Sequence, residues 1–430
     1  MRALKAPQRL GLAAATALVL GNMVGSGIFL LPSSLAPYGA VSLVGWLFTS
    51  AGAVLLALVF AHLAARVPGS GGPYVYARAG FGEFGGFFVA WGYWISLWAG
   101  NAAIAVAFAS YLSSLVPALA TPMRGALAAI AGVWFLTALN ARGVAAAGRF
   151  QLVTTVLKVV PLLLFAVLGL FSFSPEAFVP FNPSGKPLFG AISAVATLTL
   201  WSFLGLESAS IPAGDVENPE RTIPRATLLG TLIAAAVYIL ATVAILGAVP
   251  RDVLAASPAP FADAAALLFG PAAGKILAVV AVISTFGALN GWVLLAGQFP
   301  AAVAADGLFP PALAKRSANG VPLLSLVWSS VITSGLLLLQ GSGEKALVSI
   351  FEFAIVLATL ATLLPYAFCS LVPLILKGGG ARPSAFVIPL LAFAYSLWAI
   401  SGAGAETVLY GFLLQLLGLV VWVWRKRVPG

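Results

Sequence analysis

Residues 21–27 read Gly21-Asn22-Met23-Val24-Gly25-Ser26-Gly27, in the middle of an apolar segment that runs from about 12 to 34. A segment of that length can cross a bilayer as a helix, because roughly 20 apolar residues span the hydrocarbon layer. Each glycine in a helix interior nevertheless costs about 1 kcal/mol, and the hydrocarbon offers no water to the backbone groups a break would free. A second stretch, Trp201-Ser202-Phe203-Leu204-Gly205-Leu206-Glu207-Ser208, places small and polar residues within another apolar segment, 188–213. One such stretch is equally well explained by close helix packing. Two in corresponding places form the pattern of discontinuous helices in inverted repeats, where unwound backbone lines a binding cavity near the midplane.

Composition places both stretches in a membrane. Hydrophobic residues make up 61% of the 430 and charged residues 8%, where a soluble domain has about a quarter of its residues charged. The apolar runs are too long and too uniform for the alternating strands of a barrel. The fold class expected is therefore an all-α membrane protein. Twelve transmembrane helices are expected near 12–34, 41–65, 84–115, 126–141, 150–172, 188–213, 225–248, 273–303, 323–340, 346–373, 384–402 and 406–424. They are expected to form one transmembrane domain over 1–430: a 5+5 inverted repeat at about 9–172 and 186–373, with helices 1 and 6 discontinuous, and two C-terminal helices within 384–424.

Charge supports this map. Sixteen of the 22 basic residues, from Arg2, Lys5 and Arg9 to Arg425, Lys426 and Arg427, fall on the side of the N-terminus. Arg124, Lys186, Arg251, Lys275 and Lys345 fall opposite, and Lys158 lies within a span. Basic residues accumulate on the cytoplasmic side, so both termini are expected there, in a bacterial inner membrane. The net charge of +10 is spread over span ends and gives no nucleic-acid surface. The basic start superficially resembles a signal peptide, but the apolar segment continues through Pro32 without a cleavage-like boundary. With a single cysteine, Cys369, and a single histidine, His62, neither an intrachain disulfide nor a His-rich metal site is expected, and no cofactor.

The breaks also suggest what binds. Unwinding frees N–H groups at the start of the following half-helix, around Ser26, Gly27 and Ile28, and these suit a carboxylate. Freed carbonyls of Met23, Trp201 and Leu204 suit an ammonium group. One cavity would then recognise both ends of an α-amino acid.

The stretches GNMVGSGIFLLPSSLAPYG (21–39), PGSGGPYVYARAGFG (68–82), WSFLGLESAS (201–210) and GWVLLAGQ (291–298) resemble the amino acid–polyamine–organocation transporter superfamily. Within it the chain resembles most the arginine/agmatine antiporters and their basic amino acid/polyamine relatives, over about 9–424. The resemblance implies that Asn22, Ser26 and Gly27 receive the substrate carboxylate. It puts Trp201 over the substrate, Trp292 toward an outer gate, and Asn101 at the substrate side chain. Tyr93, Glu207 and Tyr366 correspond to an inner gate layer, with Glu207 tied to the pH response, and Phe351 to an outer gate aromatic. Ser96, Leu97 and Ala358 depart from the antiporter pattern around the side-chain pocket, where a small residue, a cysteine and a serine are expected, so arginine itself is in doubt as substrate. Bland alternatives stand beside these roles: interfacial anchoring for Trp292, packing for Tyr93 and Tyr366, and interhelical hydrogen bonding for Asn101.

Lys158, Glu207 and Glu352 are ionisable residues within spans, which is costly and marks function. Some superfamily members carry a lysine in span 5 that resembles a built-in replacement for a sodium ion between spans 1 and 8. On that pattern Lys158 holds the broken first helix when charged and releases it when neutral; a static lysine bonded to carbonyls or to Glu207 is the alternative. Glu352 either draws cationic substrates to the entrance or merely reaches the surface. The PGSGGP loop at 68–73 lacks a GK[ST] ending and reads as a cytoplasmic turn. The expected function is sodium-independent transport of an amino acid, proton-coupled or by exchange, through alternating access; the alternative is an antiporter of the arginine/agmatine type. A channel is the remote alternative, and no enzyme motif is present. The partners expected are an amino acid or amine, protons and the lipid bilayer, with homodimerisation left open.

Overall fold

The computed structural model describes residues 10–67, 71–142, 144–211, 213, 216–318, 320–342, 347–376 and 384–427. Arg2, Lys5, Arg9, Lys345, Lys377 and Arg382 of the charge map, and Pro68, Gly69 and Ser70 of the expected turn, lie outside them. The described chain is helical, with one isolated bridge between Leu10 and Val216. In chain order the α-helices are α1 (Leu12–Met23), α2 (Ser26–Leu35), α3 (Val41–Arg66), α4 (Pro73–Leu115), α5 (Pro122–Ala141), α6 (Val144–Gly169), α7 (Leu188–Leu200) and α8 (Pro219–Ala248). They continue with α9 (Arg251–Ala256), α10 (Pro260–Phe269), α11 (Pro271–Ala305), α12 (Leu323–Gly341), α13 (Leu347–Leu376), α14 (Ser384–Ser401) and α15 (Ala405–Arg427).

Among the described residues nine segments are long and apolar enough to cross a membrane. The other three expected spans fall on α6, α12 and α14, whose described apolar parts are shorter: Leu157–Ser172, Leu323–Leu339 and Phe386–Ser401. The outer surface carries large apolar side chains such as Phe171, Leu339 and Val420, as a lipid-facing surface requires. Helices differ in how far they are wrapped by others. The most apolar stretch of α4 is 89% buried and that of α15 only 22%, so α4 runs through the middle and α15 along the rim. Around α4 pack α11 and α13, while α3 packs on α8 and α12 on α5.

Two local features differ from the sequence reading. The third span starts at Pro73 rather than 84, and the helix bends at Gly82, whose φ of 72° lies outside the helical region. Arg78 and Glu83 lie in this added first part of α4. The sixth span leaves the α-helical path after Leu200, within the stretch whose small and polar residues marked a break. The connection after α8 holds two short helices, α9 and α10, that the Ser257-Pro258-Ala259-Pro260 sequence hid. Pro260 takes the first position of α10, where a missing N–H costs nothing.

Candidate functional site

α1 ends at Met23 and α2 begins at Ser26, while Val24 (ψ 86°) and Gly25 (φ −134°, ψ −132°) lie between them outside the helical region. In an unbroken helix the N–H groups of Gly25, Ser26 and Gly27 would bond to the carbonyls of Gly21, Asn22 and Met23. The break releases all three acceptors. Lys158, fully buried on α6, donates its Nζ to the Gly21 carbonyl. Trp292 on α11 donates its Nε1 to the Asn22 carbonyl at 3.3 Å. The Met23 carbonyl has no partner among the described residues. On the other side of the break no side chain caps α2, so its first N–H groups stay available.

The facing break is in the sixth span. α7 gives way to a 3₁₀ turn, Trp201–Phe203, then to extended Leu204 and to Gly205 at φ 101°. A second 3₁₀ turn, Ser208–Ser210, follows. The two breaks touch. A Cβ on Gly27 would stand 2.3 Å from Ser202 Oγ, and one on Gly205 would stand 3.3 Å from both Asn22 Cβ and Trp292 Cζ2. Glycine at 27 thus permits the approach, and glycine at 205 also supplies a positive φ. Tyr238 of α8 steadies the 3₁₀ turn by donating its hydroxyl to the Ser202 carbonyl at 2.9 Å.

Side chains converge on this junction. Trp201 Nε1 donates to Ser26 Oγ at 3.3 Å, and its ring end lies against Gly100 on α4, where an added Cβ would be 3.0 Å away. The same point is 4.0 Å from Ala358 Cβ on α13. Asn101 Nδ2 donates to the Trp292 carbonyl at 3.4 Å. Asn22, Met23, Ser26, Ser96, Leu97, Asn101, Trp201, Leu204, Trp292 and Ala358 are all buried. Four buried side-chain atoms here have no hydrogen-bond partner among the described residues: Asn22 Oδ1, Asn101 Oδ1, Ser202 Oγ and Ser208 Oγ. Leaving such an atom unpaired costs about 1–3 kcal/mol, and four of them gather around the two facing helix breaks.

The structure brings together Asn22, Met23, Ser26, Gly27, Asn101, Trp201, Leu204, Trp292 and Ala358. Ser96 is buried nearby in sequence, but its hydroxyl is spent on the Tyr93 carbonyl at 2.7 Å, and Leu97 offers only hydrocarbon. The Trp201 carbonyl accepts the Leu204 N–H at 3.2 Å and is already engaged by the 3₁₀ turn. Ser202, Ser208 and Tyr238 also lie at this junction; the two serines stood in the stretch 201–208 without a role of their own, and Tyr238 was not singled out in the sequence. Their signal was weak: serines inside an apolar run, and a tyrosine whose partner lies 36 residues away.

Glu207 follows directly. Its Oε1 accepts the Tyr93 hydroxyl, and its Oε2 accepts the Tyr366 hydroxyl at 2.6 Å. This joins the sixth span to α4 and α13 in one buried layer. Beyond it, toward the face carrying the start of α1, Tyr93 meets the Phe299 ring at 4.9 Å and Tyr74 meets it at 5.6 Å. Tyr74 donates to Asp306 at 3.1 Å, and Arg78 pairs with Asp306 at 3.4 Å. On the opposite face Tyr111 donates to the Phe29 carbonyl at 2.7 Å and accepts the Phe261 N–H at 3.2 Å, while Ser33 bonds to the Ser257 carbonyl at 2.7 Å. These contacts hold α9 and α10 against α2. Phe351 is buried near the start of α13, two turns before Ala358. Lys158 bonds to Gly21 and not to Glu207, which the two tyrosines hold instead.

With this geometry in place, comparison with known proteins gives consistent matches. The amino acid permease family profile covers residues 10–429. The putrescine transporter PotE of Escherichia coli is 36% identical over 421 residues, covering 96% of this chain and 95% of that one. The cadaverine/lysine antiporter of Escherichia coli is 35% identical over 422 residues, 96% of this chain and 94% of the other. A putative arginine/ornithine antiporter of Bacillus subtilis is 35% identical over 449 residues, 95% of each chain.

Proposed function

Because the chain belongs to the amino acid permease family, we propose that it is a sodium-independent secondary transporter exchanging a basic amino acid for an amine by alternating access. The observation that carries this reading is the pair of facing helix breaks with unpaired polar atoms between them. The N–H groups opening α2 suit the amino-acid carboxylate, and the Met23 carbonyl with Asn22 Oδ1 suits its α-ammonium. The groups beside these, Trp201, Leu97, Gly100 and Ala358, are apolar and suit a hydrocarbon chain. Asn101 Oδ1 stands ready for a terminal ammonium, and the Trp201 ring offers it a π-face. Three relatives, named for putrescine, cadaverine and lysine, and arginine and ornithine, support a cationic substrate.

The architecture behind this reading is twelve spans in a 5+5 inverted repeat with both termini cytoplasmic. Contacts between spans five apart support it: α3 with α8, α4 with α11, and α5 with α12 are neighbours, as repeats folded about a two-fold axis would be. Tyr93, Glu207 and Tyr366 then form the inner barrier and Phe351 lies on the outer side. Lys158 fills the place of a sodium ion by holding a carbonyl of the broken first helix, which favours proton-linked uptake as the second reading.

Purified protein in liposomes loaded with putrescine or cadaverine tests the proposal. Labelled amine is expected to leave only when lysine, arginine or ornithine is added outside, at a rate unchanged when sodium is replaced by potassium. Amino-acid uptake into empty liposomes driven by a pH gradient would favour the second reading. Movement of none of these solutes would reject both.

A further inference from the structure

A cleft of roughly 530 Å³ opens on the face opposite the N-terminus, between the end of α2, the loop before α7, the start of α13 and the turn before α15. Ser34, Tyr38, Lys186, Ser349, Glu352 and Thr407 line it among others. It is distinct from the site at the helix breaks and shares no residue with it. Two of its side chains carry opposite charge, and they do not neutralise each other: neither Lys186 nor Glu352 forms an ion pair among the described residues. Glu352 is only half buried, on the second turn of α13, with buried Ser34 across the cleft.

Lys186 is held in place. The Asn182 amide donates to the Lys186 carbonyl at 2.8 Å, and the Lys186 N–H donates to Ser184 Oγ at 3.3 Å. Its Nζ lies 5.6 Å from the centre of the Tyr38 ring and 3.4 Å from the Tyr38 hydroxyl. A cation over an aromatic face keeps its charge available to a further anion. Lys186 and Glu352 therefore line one open space large enough for a single amino acid, bordered by hydroxyls.

We propose that this cleft is an outer recruiting site for α-amino acids, with Lys186 taking the carboxylate and Glu352 the ammonium. It rests on the transport reading above and adds a selectivity to it. A diamine has no group for Lys186 and is repelled by it, so the cleft favours the amino acid over its decarboxylated amine on this face. An exchanger so equipped loads the amino acid from outside in the presence of the amine it has just released.

Exchange kinetics in proteoliposomes test this, with external lysine, arginine and ornithine compared with external putrescine and cadaverine. Lys186→Gln is expected to raise KM for the amino acids about fivefold while leaving KM for the diamines unchanged or lower. Glu352→Gln is expected to raise KM for both classes. Maximal rates stay within about twofold of wild type, since neither residue touches the helix breaks. Added salt should shrink the difference between wild type and Lys186→Gln, because charges in an open cleft are screened within about 10 Å at 0.1 M. Normal exchange with unchanged KM values in both variants overturns the recruiting site and leaves the transport reading standing. A wild type that accepts only diamines from outside also overturns it, and a wild type that moves none of the five defeats both.

Discussion

Lys158 brings an ammonium group into a fully buried position, where among the described residues it bonds to the carbonyl of Gly21. A charge so placed is expensive in hydrocarbon, by roughly 3 kcal/mol on insertion scales. It persists because the break at Val24–Gly25 leaves that carbonyl without its helical donor. The sequence made Lys158 conspicuous but could not name its partner, which lies 137 residues away on another helix. Lys158→Met removes the buried charge and orphans one carbonyl, and these effects oppose each other. Thermal stability is therefore expected to change little. Transport is expected to fall about tenfold, which corresponds to about 1.4 kcal/mol of barrier, and its dependence on pH between 5 and 8 to flatten. Uptake measured across that range checks this; a wild-type rate and profile would show that Lys158 is only a structural tie.

The helices around Glu207 act together. α13 presents Phe351, Ala358 and Tyr366 at spacings of seven and eight, one face of a helix, and α4 presents Tyr93, Leu97 and Asn101 at spacings of four. Tyr93 and Tyr366 each supply one hydrogen bond to a different oxygen of Glu207. With either tyrosine replaced by phenylalanine the carboxyl keeps one partner, and with both replaced it has lost both hydroxyls in a buried setting. Each single variant should cost about 1.5 kcal/mol. The double variant should cost more than their sum, by about 0.5–3 kcal/mol. Unfolding midpoints of the four proteins in detergent measure the coupling, and strict additivity would mean that the layer does not work as a unit. The sequence showed these elements unevenly. The breaks were legible because glycine, serine and glutamate interrupt plain apolar runs. The early start of α4 was not, because its bend depends on Gly82 taking a positive φ amid charged neighbours, and α9 and α10 looked like loop because prolines precede them.

Across the whole molecule, the face carrying the start of α1 also gathers Asp306, Arg316 and Arg425, and the opposite face carries Glu176, Lys186 and Arg251. The short bridge from Leu10 to Val216 and the approach of Arg425 to the Gly307 turn bring Leu10 and Arg425 to the first face. The uneven distribution of lysine and arginine along the sequence leads us to expect the first face in the cytoplasm. Cys369 is buried, so it is a silent background for labelling. In intact cells a membrane-impermeant maleimide is expected to label Glu176→Cys and not Ala318→Cys, which should react only after permeabilisation. The reverse pattern would invert the topology.

A structure of the protein with its transported amino acid bound measures most directly whether the two interrupted helices hold the head group. The carboxylate is expected within about 3 Å of the N–H groups at Ser26–Ile28, and the α-ammonium beside the Met23 carbonyl and Asn22. Both helices should remain open at 24–25 and 204–207. An amino acid bound elsewhere, or continuous helices through both stretches, would contradict the assignment.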